Sequence, residues 1–230
     1  MLLAGREWAL LGGAERKRAW AFGALCALLM LAAAQLTALA SPVLAIATAF
    51  WVLLAPWWLA RGVASAPASA LAAAGIVALV PAGLTMALLP PWQLLQLLGL
   101  AWTSDTAAYL AGRAFGRHRL APSISPAKTR EGVAGALAAS LLYAIIWAAL
   151  DPVLEARVQG PLWVPYLAAA AALCALGVVG DLLESAVKRR AGVKDSGALL
   201  PGHGGVLDRI DSVTATLPAG ALLMLWTGAN

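Results

Sequence analysis

The chain has 230 residues, of which 62% are hydrophobic and only 12% are charged. Soluble domains contain roughly 45–50% apolar residues, so this composition excludes an ordinary soluble domain and predicts an integral membrane protein. The 16 Lys and Arg against 11 Asp and Glu give a net charge of +5. In a membrane chain such cations fix the orientation of loops and contact anionic headgroups, so we expect membrane lipids, and no nucleic acid, as partners. Cys26 and Cys174 lie in apolar runs and favour packing roles.

Seven segments are long and apolar enough to predict membrane-spanning helices, each of which needs about 20 residues. The fold class that they predict is an all-α, polytopic membrane protein. In chain order they lie near residues 19–40, 42–60, 65–89, 92–111, 132–150, 161–186 and 211–229. Ser41 and Pro42 form the visible turn between the first two segments. The first segment follows Arg16, Lys17 and Arg18 and is long, which favours a retained span over a cleaved signal peptide.

The positions of the cationic residues predict the orientation of the chain. With a cytoplasmic N-terminus, the segments 1–18, 61–64, 112–131 and 187–210 face the cytoplasm and hold 15 of the 16 Lys and Arg, all except Arg157. The positive-inside rule favours this arrangement, in which an odd number of spans leaves the C-terminus outside. We therefore expect a multi-pass protein of the inner, cytoplasmic membrane. Residues 1–92 form an N-terminal membrane region of about three spans, and residues 93–230 form a second region with the long loops 112–131 and 187–210.

Five carboxylates lie near the predicted cytoplasmic ends of spans, although a charge at the bilayer centre costs about 2.5–3.5 kcal/mol. They are Asp105, Asp181, Glu184, Asp208 and Asp211. Helical spacing places Asp181, Glu184, Ser185 and Lys188 on one face, and Asp208, Asp211 and Ser212 on another. Paired carboxylates suit Mg²⁺, a hard ion that shares its ligands between protein and substrate phosphates. The alternative is that these residues only complement helix dipoles and form interfacial ion pairs.

The two long loops combine basic residues with glycines, which suits phosphate binding. Glycine lets backbone N–H groups approach a phosphate closely, and Lys and Arg neutralise its charge. Contact with anionic lipid headgroups explains the basic charge equally well, but it does not explain the interleaved Asp, Ser, His and Gly. Because intramembrane carboxylates also line ion pathways, a transporter or channel is a further alternative. That alternative predicts charges on both sides, whereas the outer halves of the predicted spans are almost free of ionisable groups.

Two segments resemble the conserved blocks of the phosphatidate cytidylyltransferases, also called CDP-diacylglycerol synthases. The first resemblance runs from Ser185 to Asp211 and includes Lys188, Arg189, Lys194-Asp195-Ser196-Gly197, Leu200-Pro201-Gly202-His203-Gly204-Gly205, Asp208-Arg209 and Asp211. The second includes Asp105, Tyr109, Gly112, Arg113, Gly116, Ser125-Pro126, Lys128-Thr129 and Glu131-Gly132. The chain departs from the family at Ala127 and Arg130, where Lys and Trp are usual. The family usually carries further apolar spans at its N-terminus, so we expect either a compact variant or a sequence with a different start.

The resemblance implies an Mg²⁺-dependent transfer of the cytidylyl group of CTP to phosphatidate, which gives CDP-diacylglycerol and pyrophosphate for phospholipid biosynthesis. It leaves open whether a second metal or a monovalent cation joins Mg²⁺. It further implies that residues 93–230 are the catalytic region, that the active site faces the cytoplasm, and that a homodimer forms as it does in other members. Another CTP-dependent lipid enzyme, a polyprenol kinase or an archaeal-type lipid cytidylyltransferase, is the nearest alternative.

The resemblance also assigns roles to individual residues. The candidate metal ligands are Asp181, Glu184, Asp208 and Asp211. The candidate catalytic residues are Asp181, Asp208, Asp211, Lys188 and Lys194. The candidate substrate-binding residues are Asp105, Arg113, Ser125, Lys128, Glu131, Ser185, Arg189, His203, Gly204, Gly205 and Arg209. His203 is expected to bind a phosphate oxygen, because the reaction gives it no need to act as a general acid or base.

Overall fold

The computed structural model describes residues 1–199, 202 and 204–227. Within these residues the chain forms α1 Leu2–Leu11, α2 Arg16–Gln35, α3 Ala40–Ala49, α4 Ala55–Arg61, α5 Ala68–Leu88, α6 Pro91–Phe115, β1 Arg119–Ala121, β2 Ser125–Thr129, α7 Arg130–Leu150, α8 Pro152–Arg157, α9 Trp163–Arg190 and α10 Val213–Trp226. Short helical turns cover Thr37–Leu39, Phe50–Leu54, Gly160–Leu162 and Leu207–Arg209. The two strands pair in antiparallel fashion, so the predicted loop 112–131 contains a hairpin.

Five helical segments of the described chain are long and apolar enough to cross a membrane. They are Arg16–Gln35, Thr37–Arg61, Ala68–Leu88, Arg130–Leu150 and Gly160–Arg190. These segments confirm a mainly α-helical, multi-pass membrane protein. Helix α6 has 25 residues but falls short of the five in hydropathy, and α10 has only 14 residues. Their roles as the fourth and seventh spans stay predictions.

The predicted turn at Ser41 and Pro42 is wrong. The chain breaks at Leu36, and both residues lie in the first turn of α3. Proline is tolerated there because the first N–H groups of a helix have no acceptor within the helix. The second predicted span therefore begins earlier, at Thr37, and continues through α3 and α4 to Arg61.

The N-terminal segment, predicted only as part of a cytoplasmic segment, folds into α1 and packs into the protein. It lies so close to α2 that a Cβ atom on Gly23 would be 2.3 Å from the backbone oxygen of Leu2. Trp8 is buried and donates a hydrogen bond of 2.7 Å from its Nε1 to the backbone oxygen of Leu71 in α5. These contacts fix the depth and rotation of α1 in the bundle.

Gly180 of α9 lies directly against the start of α10 and the segment just before it. A Cβ atom there would lie 2.5 Å from the backbone oxygen of Asp211 and 3.1 Å from the Cβ of Ala215. Small residues allow such close backbone contact between membrane helices. The contact brings Asp181, the next residue of α9, beside the beginning of α10.

Replacing Gly180 by alanine is expected to lower stability by roughly 1–3 kcal/mol, because the added methyl group would meet a backbone oxygen that cannot rotate away. Gly177→Ala, one turn earlier, is the matched comparison, since its nearest neighbour is the Cγ2 of Thr216 at 3.3 Å. Thermal unfolding of the two detergent-purified variants measures the difference. Equal midpoints for both variants would contradict the close contact at Gly180.

Candidate functional site

The five carboxylates predicted from the sequence come from four separate parts of the fold, and we call them the carboxylate cluster. Asp105 lies on α6, Asp181 and Glu184 on α9, Asp208 in the turn Leu207–Arg209, and Asp211 just before α10. Asp211 lies within electrostatic range of Asp105, Asp181 and Glu184. Glu184 is similarly close to Asp208. The fold therefore concentrates negative charge at the end of α9 and the start of α10.

Lys188 joins two members of the cluster through ion pairs. Its Nζ lies 3.1 Å from Oε1 of Glu184 and 2.7 Å from Oδ1 of Asp208. The side chains of Lys188, Glu184 and Asp208 are only 11%, 4% and 9% exposed. The spacing of Glu184 and Lys188 on α9 fixes the first pair, whereas the second pair depends on the fold of the segment that follows α9.

The second carboxylate oxygen of Asp208 binds the glycine-rich loop, which we define as residues 195–199, 202 and 204–206. Oδ2 accepts hydrogen bonds from the backbone N–H and the hydroxyl of Ser196, both at 2.9 Å, and from the N–H of Gly205 at 2.7 Å. Burial raises the pKa of Asp208, but the hydrogen bonds from Lys188, Gly205 and Ser196 outweigh it and hold the pKa below its ordinary value. Asp208 is therefore a carboxylate at neutral pH.

Gly204 and Gly205 have the small size that this arrangement requires. Gly204 has a φ of +81°, and a Cβ atom there would lie 2.5 Å from Oδ2 of Asp208. Glycine adopts positive φ without steric cost, and it lets the loop backbone reach a carboxylate. The structure thus places both glycines against Asp208, with Gly205 donating its N–H to it.

The hairpin β1–β2 is attached to α9 by two polar contacts. Lys128 of β2 forms an ion pair with Asp181, whose other oxygen accepts a hydrogen bond of 3.3 Å from the hydroxyl of Ser185. Arg189 donates from Nε to the backbone oxygen of Ile124 at 3.2 Å. Residues from the two segments that resemble the family, 105–132 and 185–211, therefore meet on one side of α9.

Two predicted substrate-binding residues, Arg113 and Glu131, make their hydrogen bonds within the segment 105–132. Glu131 accepts from the backbone N–H groups of Arg117 and His118, and its Oε1 lies 2.6 Å from Nδ1 of His118. Arg113 donates to the hydroxyl of Tyr109 at 3.3 Å. These contacts give Glu131 a role in holding the base of the hairpin, and its contact with substrate stays a prediction.

The remaining predicted residues lie around this assembly. Ser125 is in register with Ala121 at the start of β2. Lys194 is exposed beside the glycine-rich loop, and Arg209 is exposed in the turn that carries Asp208. His203 lies outside the described residues.

Sequence reasoning missed Glu7, which the structure connects to the site, whereas it had placed Ser212 on the same face as Asp208 and Asp211. Glu7 on α1 accepts hydrogen bonds from the hydroxyl of Ser196 and from the backbone N–H groups of Val206 and Leu207. Ser212 donates its hydroxyl to Oδ2 of Asp105 at 2.6 Å. One signal for Glu7 was available, because an acidic residue in the mostly apolar stretch LLAGREWALL needs a partner if it is buried.

The carboxylate cluster fits the chemistry of a hard divalent cation such as Mg²⁺. Its members are all oxygen donors, and five carboxylates face two lysines, Lys128 and Lys188. Within the described part of the chain, no three Asp, Glu, His or Cys side chains converge as a ready-made metal site. The lysines instead bind carboxylate oxygens of Asp181, Glu184 and Asp208. The residues present thus offer the kind of oxygen donor that Mg²⁺ prefers.

Comparison with known proteins relates this site to one family. The model of the cytidylyltransferase family matches residues 1–226. The phosphatidate cytidylyltransferase of Pseudomonas aeruginosa is 40% identical over 240 residues, which cover 96% of this chain and 82% of that protein. The protein of the same name from Haemophilus influenzae is 46% identical over 128 residues, 54% of this chain and 43% of its own length. The one from Staphylococcus epidermidis is 41% identical over 128 residues, 56% of this chain and 47% of its own length.

Proposed function

Because this chain belongs to the cytidylyltransferase family, we propose that it transfers the cytidylyl group of CTP to phosphatidate and forms CDP-diacylglycerol and pyrophosphate. Its similarity to the Pseudomonas aeruginosa phosphatidate cytidylyltransferase extends along almost the whole chain. The observation that carries the proposal is the Lys188 ion-pair group, formed by Lys188, Glu184 and Asp208, which joins α9 to the segment after it at the end of an apolar helix. Charged groups in that place suit a reaction between a lipid and a soluble nucleotide.

The proposed orientation puts this site on the cytoplasmic side of the inner membrane. The basic residues Lys188, Arg189 and Arg190 end α9, the last of the five apolar segments. With α6 and α10 as further spans, the N-terminus is cytoplasmic and the C-terminus is outside. CTP then enters from the cytoplasm, and phosphatidate arrives by diffusion within the membrane.

The outer surface of the helices supports contact with membrane lipids. Large apolar side chains are exposed on several apolar segments, among them Leu28, Leu53, Leu142 and Val164. Exposed leucine and valine side chains cost little in hydrocarbon, whereas they would be unfavourable in water. A homodimer, as the family resemblance implies, would cover part of the same surface.

In this proposal Asp181, Glu184, Asp208 and Asp211 would hold Mg²⁺. The ion, when bound, would neutralise phosphate charge and orient the triphosphate. A second metal or a monovalent cation near the same cluster stays open, since Asp105 adds a further carboxylate to it. Mg²⁺ retains ligand positions for substrate phosphates, which suits a site that protein carboxylates only partly surround.

The reaction requires little proton transfer from the protein. An anionic oxygen of the phosphatidate phosphate attacks the α-phosphorus of CTP, a new P–O bond forms, and the bond to the bridging oxygen of the β-phosphate breaks. That oxygen leaves with pyrophosphate. The protein contributes by holding the two substrates in line and by neutralising the charge that develops on the leaving group.

The basic residues and glycines near the carboxylate cluster are suited to those tasks. Lys188 is fixed by two carboxylates, so its ammonium group needs little reorganisation when a phosphate approaches. Lys194 and Arg209 are exposed at the edge of the glycine-rich loop, where they would bind the phosphates of CTP. The proposal assigns Arg189 and His203 to the same task. It assigns Ser125, Lys128 and Glu131, with Asp105 nearby, to the opposite wall of the site, and keeps Arg113 as a further substrate-binding residue.

Labelled CTP distinguishes this function from the nearest alternatives. Membranes that contain the chain are incubated with phosphatidate and with CTP labelled at either the α- or the γ-phosphate. Cytidylyl transfer places the α-label in lipid and releases the γ-label as pyrophosphate. A γ-label in the lipid would instead indicate a polyprenol-type kinase. No lipid label from either position, with CTP left intact, would contradict the proposed reaction.

A further inference from the structure

Glu7 is a buried acidic residue that the proposed chemistry leaves without a role. It lies in the middle of α1 and is 2% exposed. Its Oε1 accepts a hydrogen bond of 3.0 Å from the N–H of Val206. Its Oε2 accepts from the N–H of Leu207 at 2.9 Å and lies 3.0 Å from the hydroxyl of Ser196, whose single proton is shared between this oxygen and Oδ2 of Asp208. Both oxygens are therefore bound by residues 189 or more positions away in the chain.

The groups that bind Glu7 also determine where Asp208 lies. The Ser196 hydroxyl is within hydrogen-bond distance of Oε2 of Glu7 and of Oδ2 of Asp208. Val206 and Leu207 immediately precede Asp208, and Leu207 begins the helical turn that carries it. Asp208 in turn binds Lys188 through its other oxygen. A short chain of contacts thus runs from α1 to the ion-pair group on α9.

Two glycines of the loop, Gly197 and Gly205, pack directly against the Glu7 carboxylate. A Cβ atom on Gly205 would lie 2.5 Å from Oε2 of Glu7, and a Cβ atom on Gly197 would lie 2.9 Å from Oε1. Any larger residue would push the carboxylate away from its donors. The glycines therefore provide space for Glu7 in addition to any space that they provide for phosphate.

We infer that Glu7 is a positioning residue: it anchors the glycine-rich loop to α1 and thereby sets the position of Asp208 relative to Lys188. A carboxylate suits this task because it accepts several hydrogen bonds at once, and charged acceptors bind N–H and O–H donors more strongly than neutral ones. The catalytic consequence of this inference rests on the proposed function, whereas the anchoring of the loop does not.

The test compares Glu7→Gln with Glu7→Asp in the full detergent-purified chain. Glutamine keeps the shape but turns an NH₂ group toward N–H donors, so we expect kcat for cytidylyl transfer to fall at least about tenfold. Aspartate keeps the charge and is expected to recover part of that loss. Glu15→Gln is the matched control, because Glu15 is exposed just before α2 and makes no side-chain cap hydrogen bond there.

Limited trypsin digestion measures how firmly the loop is held, and it does not depend on catalytic activity. Release of Val206 and Leu207 from α1 is expected to accelerate cleavage after Arg209 in Glu7→Gln and to leave the Glu15→Gln pattern unchanged. Ser196→Ala supplies a double-mutant cycle, in which the combined loss of activity should be smaller than the product of the two single losses.

Three results would overturn the inference. The first is a wild-type rate of cleavage after Arg209 in Glu7→Gln, and the second is a kcat for Glu7→Asp no higher than that of Glu7→Gln. The third is a loss of activity in the double variant equal to the product of the two single losses. If the wild-type chain itself transfers no cytidylyl group, the proposed function fails, and the cleavage rates still decide whether Glu7 anchors the loop. If Glu7→Gln cannot be purified folded, Ser196→Ala alone is expected to accelerate the same cleavage, and an unchanged rate would count against the anchor.

Discussion

Asp181→Asn is expected to lower kcat for cytidylyl transfer by about 100-fold or more, which corresponds to about 2.7 kcal/mol of transition-state stabilisation. The substitution removes one negative charge from the carboxylate cluster, beside Asp105 and Asp211. It also removes the charged partner of Lys128 and so weakens the attachment of the hairpin to α9. Steady-state kinetics at saturating CTP and phosphatidate, over a range of Mg²⁺ concentrations, measures the effect.

Glu155→Gln is the matched control for Asp181→Asn. It also changes an acidic residue to its amide, but Glu155 is exposed on the short helix α8, outside the site. Wild-type kcat is expected for this variant. Near wild-type kcat for Asp181→Asn at high Mg²⁺ would show that Asp181 is not a metal ligand.

Lys188→Met is expected to destabilise the protein by roughly 3–5 kcal/mol and to abolish most of the activity. The substitution leaves the carboxylates of Glu184 and Asp208 buried without their common cation, and an unpaired buried charge is strongly unfavourable. Thermal unfolding of the purified chain measures the stability. Asp208→Asn in the Lys188→Met background removes one of the two uncompensated charges and is expected to restore part of the lost stability.

Lys17→Met is the control for the loss of a lysine, because Lys17 is exposed near the start of α2. An unfolding midpoint close to that of the wild type is expected for it. Equal midpoints for Lys188→Met and the wild type would mean that the ion-pair group contributes little to stability.

Much of the site was predictable because its residues follow local rules. The spacing of Asp181, Glu184 and Lys188 on α9 places them on one helix face, and the structure shows the Glu184–Lys188 pair. Their depth at the end of an apolar segment indicated that Asp208 and Asp211 would lie nearby, since polar groups in a membrane gather where they can pair. The ion pair between Lys188 and Asp208 is such a pairing of charged groups at the end of an apolar segment.

The contacts that sequence reasoning missed depend on how distant segments pack. Glu7 lies in the first ten residues and binds Ser196, and no periodicity relates two residues so far apart. Glu131 matches the family resemblance, but its hydrogen bonds come from Arg117 and His118 and hold the hairpin. The resemblance indicates which residue type stands at a position, whereas only the fold shows which atoms contact it.

The span boundaries, too, were predictable only where they follow from local sequence. Apolar length placed the segments that became α2, α5, α7 and α9 within a few residues, because about 20 apolar residues are needed to cross the bilayer. Proline was a poor guide to the turns. Pro42 lies in the first turn of α3, and Pro81 and Pro218 lie inside helices.

Direct measurement of both products tests the central claim. The purified chain is reconstituted in vesicles that contain phosphatidate, supplied with CTP and Mg²⁺, and analysed by mass spectrometry for the lipid product and by an enzymatic assay for pyrophosphate. We predict CDP-diacylglycerol and pyrophosphate in equal amounts from the wild-type chain and at least about 100-fold less of both from Asp181→Asn. The absence of CDP-diacylglycerol from the wild-type reaction, or its formation at the same rate by Asp181→Asn, would contradict the proposed reaction or its assignment to the carboxylate cluster.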